Sequence, residues 1–253
     1  MKRVMLAAAI LSGPTAAIAA TYPTGVVRDP CAAQIERAAK DVDVRLRDFG
    51  QLCRYRDANA ALARSRRPVR VVMIGDSITD SWINNDPALF GDGIVDRGIS
   101  GQTTQQMLVR FRADVIALRP AAVHIMGGIN DIAGNTGPTT LAAIEDNIHS
   151  MVDLARAHGI RVMLASVLPA AAFPWAPGKH PAPLVAELNR RLKRYANQKG
   201  LIWVEYYASM VNLAGGMDTA LAADGVHPTA AGYRHMRPIA LKAMAQIRRS
   251  APR

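Results

Sequence analysis

Half of the 253 residues are hydrophobic and 20% are charged, which supplies enough apolar material for one large buried core and excludes a disordered chain. The formal net charge is +11, with basic clusters at Arg64, Arg66, Arg67 and Arg70, at Arg190, Arg191, Lys193 and Arg194, and at Arg248, Arg249 and Arg253. These read first as solvated helix faces and ends, and second as weak attraction to an anionic surface such as lipid headgroups or an acidic polymer. No basic-aromatic pattern points to nucleic acid.

In chain order, residues 1–20 carry the three parts of an export signal. Lys2 and Arg3 form a basic start, Val4 to Ile10 an apolar centre, and Ala17-Ile18-Ala19 a small-residue cleavage site. The apolar run is too short to span a bilayer and no later stretch is long enough, so an exported protein, periplasmic or secreted and without a transmembrane segment, is expected. Residues 21–67 read as an N-terminal helical extension, with helix-forming composition over 31–47 and 52–63 separated by Phe49-Gly50. Cys31 and Cys53 are two thiols in an oxidising compartment. A straight helix over 32–47 would hold its ends about 24 Å apart at 1.5 Å per residue. A bridge therefore requires that helix to break, or residues 51–56 to fold back along it.

From 68 to 250 strands and helices alternate. Val71 to Ile74 is a run of four apolar residues, hence a buried strand, which Gly75 ends. Asp76-Ser77 then sit in a turn, with Thr79 or Asp80 as the cap of the next helix. Further strands are expected over 94–99, 121–126, 160–168 and 201–206. Helices are expected over 103–118, stopped by Pro120, over 141–158 and 185–199, closed by Gly159 and Gly200, and over 229–247, kinked at Pro238. Five apolar strands separated by helices predict an α/β fold with a parallel sheet covered on both faces. The connection Pro169–Pro183 holds five prolines together with Phe173 and Trp175. It reads equally as a substrate wall or as a packed surface excursion.

Four segments gather where open α/β sheets bind ligands, beyond the carboxyl ends of the strands. They are Gly75-Asp76-Ser77-Ile78, Gly98-Ile99-Ser100-Gly101, Gly128-Ile129-Asn130-Asp131, and Asp224-Gly225-Val226-His227-Pro228. Acyl transfer needs a nucleophile, a base, a group that orients the base, and donors for the developing oxyanion. Ser77, His227, Asp224, and the set of Ser77 N–H, Gly101 N–H and the Asn130 amide fill each role once. Asp224 and His227 are close enough in sequence to share one loop. The Gly-x-Ser-x-Gly elbow of the α/β-hydrolases is missing, since Thr79 stands at its second glycine.

In their order these segments resemble the four conserved blocks of the SGNH, or GDSL-type, hydrolases, over a stretch from about Val69 into the last helix. The resemblance implies a flavodoxin-like three-layer α/β/α sandwich over residues 68–250. It makes Ser77 the nucleophile, His227 the base, Asp224 its partner, and Ser77, Gly101 and Asn130 the oxyanion hole. It implies an ester hydrolase that forms an acyl-enzyme on a small-molecule, lipid or carbohydrate ester. The alternatives are removal of O-acetyl groups from polysaccharide or peptidoglycan by the same residues and, more remotely, a non-catalytic carbohydrate- or lipid-binding protein.

The neighbours carry milder expectations. Asp76 and Asp131 read as hydrogen-bonding residues that hold turns. Trp82, Phe173 and Trp175 are candidates for lining the substrate pocket, with core packing as the other reading for Trp82. His124, inside a strand, reads as a buried histidine with its hydrogen bonds satisfied. No zinc, calcium or phosphate-loop pattern stands out, so neither a metal nor another cofactor is expected. Nothing in the sequence specifies an oligomer.

Overall fold

The computed structural model describes residues 48–249. The export-signal reading, the helix expected over 31–47 and Cys31 lie outside the described residues; Cys53 is disulfide-bonded. The helix expected over 52–63 forms as α1 (Arg56–Ser65). The chain continues through β1 (Val71–Gly75), α2 (Ser77–Asp80), α3 (Trp82–Asn85), β2 (Ile94–Gly98), α4 (Thr104–Asp114), β3 (Ala122–Met126) and α5 (Ile129–Ala133). It then runs through α6 (Leu141–Ala157), β4 (Arg161–Ala165), α7 (Ala182–Lys199), β5 (Ile202–Val204), α8 (Tyr207–Met210) and α9 (Ala230–Arg249), with Pro238 inside α9.

The five strands form one parallel sheet in the order β2-β1-β3-β4-β5. All of β1 and β3 is buried. Since successive strand residues face opposite sides, both faces of the sheet must be covered. Val72, Met73 and Ile74 have no exposed surface, and each such side chain contributes about 1.5–3 kcal/mol relative to exposure. The chain moves outward from β1 to β2 and then crosses to β3 on the other flank. The crevice at the carboxyl ends of β1 and β3 is therefore a topological switch point. Register brings three strand ends level: Gly75 lies opposite Gly98 on one side and Met126 on the other.

The ends of several elements differ from expectation for local reasons. The helix after β1 opens at Ser77, and its cap is Asp76, whose side chain accepts from the Ile78 N–H at 3.0 Å; Thr79 and Asp80 lie inside it. The long helix expected after β2 starts with a Thr103–Gln106 capping box and stops at Asp114. A 3₁₀ turn (Ile116–Leu118) and Arg119 at φ 48° then lead to Pro120. β4 is shorter than its apolar run because Asn189 takes over the backbone pairing of Val167: its side chain accepts from the N–H at 2.8 Å and donates to the carbonyl at 2.9 Å.

Two features lock the strand ends. Gly98 passes so close to α2 that a Cβ there would lie 2.0 Å from the Asp80 nitrogen, so only glycine fits. Beneath it lies Arg110 of α4, fully buried. Its Nη2 donates to Gly75 O at 2.9 Å, and its Nη1 to Arg97 O at 2.8 Å and to Asp114 Oδ2 at 3.1 Å. Its Nε donates to Gln102 Oε1 at 2.6 Å. Truncating one partner of a buried ion pair leaves the other charge uncompensated. We therefore expect Arg110→Met to lower unfolding stability by about 3–5 kcal/mol, read from urea titration against the parent protein.

Candidate active site

Ser77 is the first residue of α2, so its N–H has no acceptor within that helix. Its hydroxyl oxygen lies 2.9 Å from His227 Nε2. On the far side of the ring, Nδ1 is 2.6 Å from Asp224 Oδ2. The other Asp224 oxygen accepts from the backbone N–H groups of Val226, at 2.9 Å, and His227, at 2.7 Å. One tight turn thus fixes the carboxylate against the imidazole it orients. Burial alone would raise the Asp224 pKa, but the bonds from the His227 ring and from the two N–H groups outweigh it and hold this carboxyl below its ordinary value. Tyr233 of α9 donates to Ile78 O at 2.7 Å, which pins the helix after the histidine to the helix that carries the serine.

The other two segments meet beside the serine's strand. Gly101 follows β2 at φ +78°, a conformation that other residues adopt only with strain. Asn130 opens α5, and its Nδ2 donates to Gln102 O at 2.9 Å. Asn135, which sequence reasoning missed, donates through Nδ2 to both Asn130 Oδ1, at 3.0 Å, and Gly101 O, at 3.1 Å. Asn130 is thereby held with its amide nitrogen toward the Gly101 loop. Asp80 was also missed; its Oδ2 accepts from the Ser100 N–H at 3.1 Å and the Ser100 hydroxyl at 2.6 Å. No pattern in the sequence marks either residue, because each works through a loop that is distant along the chain.

The three aromatic candidates separate. Trp82 has no exposed surface and packs against Tyr206 and Tyr233, at centroid distances of 6.0 and 5.3 Å, so it is core and lines no pocket. Phe173 is also buried, beneath Trp175 at 5.1 Å. Trp175 is 43% exposed, and its ring lies 5.7 Å from that of His227. The Pro169–Pro183 connection therefore brings one aromatic face beside His227. Lys179, on the same connection, donates to Ala133 O at the end of α5. His124 is buried as expected, with Nε2 3.1 Å from the Tyr206 hydroxyl, but its Nδ1 has no hydrogen-bond partner among the described residues; burial lowers its pKa to about 4. Among the described residues no group of three or more His, Cys, Asp or Glu side chains is arranged to hold a metal ion.

Residues 73–235 match the GDSL-like Lipase/Acylhydrolase family, and the chain belongs to it. A crystal structure of a candidate acylhydrolase from Bacteroides fragilis NCTC 9343 is 44% identical and superposes with a TM-score of 0.75, over 81% of this chain and 99% of that one. Esterase TesA of Pseudomonas aeruginosa is 29% identical over 54% of this chain, and the uncharacterized lipoprotein YqeF of Bacillus subtilis is 34% identical over 30%. The chain spans 62% and 32% of the lengths of those two relatives.

Asp131 bridges α5 to the start of α4, accepting from the Thr104 hydroxyl at 2.6 Å and the Thr104 N–H at 2.9 Å; burial raises its pKa. Burial likewise raises Asp76 from 3.8 to about 7, against the bond from the Ile78 N–H, and Asp96 from 3.8 to about 7. Between those limits the folded protein keeps protons that the unfolded chain has released. This contribution to stability is therefore full below the unfolded value and disappears as pH rises toward 7. Unfolding free energy from urea titration is expected to fall between about pH 4 and pH 7, with a shallower slope in Asp76→Asn.

Proposed function

We propose that this protein is an exported serine esterase that hydrolyses carboxylic esters through Ser77, His227 and Asp224. The observation that carries the reading is the unbroken chain from the Ser77 hydroxyl to His227 Nε2 at 2.9 Å and from Nδ1 to Asp224 at 2.6 Å. A serine hydroxyl is a weak nucleophile until a base takes its proton, and here the base is in contact and its ring is held by a carboxylate. Ser77 Oγ attacks the ester carbonyl while its proton passes to His227. The oxygen that gains charge is met by the N–H groups of Ser77 and Gly101 and by the Asn130 amide, whose other N–H is engaged by Gln102 O. His227 returns the proton to the departing alcohol, leaving the acyl group on Ser77. Water activated by the same imidazole then releases the acid and restores the enzyme. The export signal features of residues 1–20 and the likeness to a lipoprotein support placing this reaction outside the cytoplasm.

A second reading, removal of O-acetyl groups from polysaccharide or peptidoglycan, is favoured by Trp175. Its exposed ring beside His227 offers a flat face to a sugar, whereas the burial of Phe173 leaves no greasy aromatic tunnel at this edge. The intact triad geometry argues against a merely binding protein.

Hydrolysis of activated esters from acetyl to long acyl chains tests the proposal. Turnover should be abolished in Ser77→Ala and should favour short acyl groups if acetyl removal is the natural reaction. Asn130→Ala should lose about 10²–10³ in turnover, the usual cost of one oxyanion donor. Unchanged turnover in either variant would remove that residue from the mechanism.

A further inference from the structure

The residues ahead of the family match are bonded directly to the loop that carries Gly101. Tyr55 donates its hydroxyl to Gly98 O, on the last residue of β2. Gln102, on the other side of Gly101, donates through Nε2 to Gly50 O at 3.1 Å. Asn59 accepts from Arg97 Nε at 2.8 Å and donates to Asp114 Oδ1 at 2.7 Å. The Arg97 guanidinium also lies over the Tyr55 ring, 4.6 Å from its centroid. Both flanks of the Gly101 loop are thus held from outside by one short segment, residues 50–59. The same Gln102 accepts from Arg110 through its side chain and from Asn130 through its carbonyl, so the brace and two of the three assigned oxyanion donors share one residue.

We infer that Tyr55 is a positioning residue for the acyl-transfer reaction, holding the Gly101 N–H where the tetrahedral oxyanion forms. The inference rests on the esterase reading above. Oxyanion donors act through fixed placement, and a loop with loosened flanks loses transition-state stabilisation while ground-state binding stays nearly the same. Burial raises the Tyr55 pKa, with the charges of Asp96 and Asp80 adding, so the phenol stays protonated and remains a donor.

The test uses the full chain and Tyr55→Phe, which keeps the ring and the Arg97 contact and removes only the hydroxyl. Three quantities are measured: kcat and KM on an activated acetyl ester, and inhibition by phenylboronic acid, whose serine adduct puts an oxygen in the oxyanion position. We expect kcat to fall about fivefold, the scale of one hydrogen bond. KM and the pH profile should be unchanged, and boronate binding should weaken by the same factor as kcat. A variant with parent-like kcat and boronate binding, whatever its melting temperature, overturns the inference. So does a loss in kcat that leaves boronate binding unaltered. Ser77→Ala is assayed alongside. If it hydrolyses the ester at the parent rate, the esterase reading fails and the inference with it; if it is inactive beside a parent-like Tyr55→Phe, the inference alone fails.

Discussion

A guanidinium shut away from water is tolerable only where its donors find acceptors and its charge a counter-charge. Arg110 meets that condition by taking the carbonyls of Gly75 and Arg97, at the ends of adjacent strands β1 and β2 (Arg97 being the last residue but one of β2), together with Gln102 and Asp114. Gly75 O also accepts from the Ile99 N–H at 3.1 Å, so the guanidinium shares this carbonyl with the chain leaving β2. The cation ties the two carbonyls to one another and to the loop above. Ser77 lies two residues past one of these carbonyls and Gly101 four residues past the other. The placement of the reactive edge therefore depends on a charge held inside the protein, with Gly98 against α2 as its steric counterpart.

The carboxylates around this edge fall into two electrostatic kinds. Asp76, Asp96 and Asp131 are buried, and desolvation pushes their pKa values up, to about 7 for Asp76 and Asp96, while each accepts hydrogen bonds from backbone or hydroxyl groups. Asp224 is open to solvent and stabilised as an anion by three donors, one of them the imidazole. In the proposed mechanism Asp224 is the one of these four carboxyls placed against the His227 ring, where positive charge would develop. Environment alone separates the structural carboxyls from the chemical one.

The alternation of apolar strands and helices was readable because parallel strands are buried on both faces and appear as unbroken hydrophobic runs. The Ser77, Asn130 and Asp224–His227 segments were readable because each pairs chemistry with a glycine turn in a short stretch. What escaped is non-local. The brace from Gly50, Tyr55 and Asn59, the bridging amide of Asn135 and the tie from Asp80 all join residues through pairings that leave no periodic trace. Trp82 was ambiguous for a related reason: it follows the Ser77 turn by five residues, yet its helix rotates the ring into the core against Tyr206 and Tyr233. Strand and helix ends shifted where a side chain replaced a backbone partner, as Asn189 does for Val167.

The serine and its base are 150 residues apart along the chain. The hydroxyl of Tyr233, in the final helix, helps fasten the two halves of the site together, as does the Arg237–Asp86 pair. A chain emerging from synthesis therefore carries Ser77, the proposed nucleophile, long before it carries His227, the proposed base. On the proposed mechanism, Ser77 stays an ordinary alcohol until α9 docks. Reactivity belongs to the closed topology, so hydrolytic competence and the completion of folding arrive together.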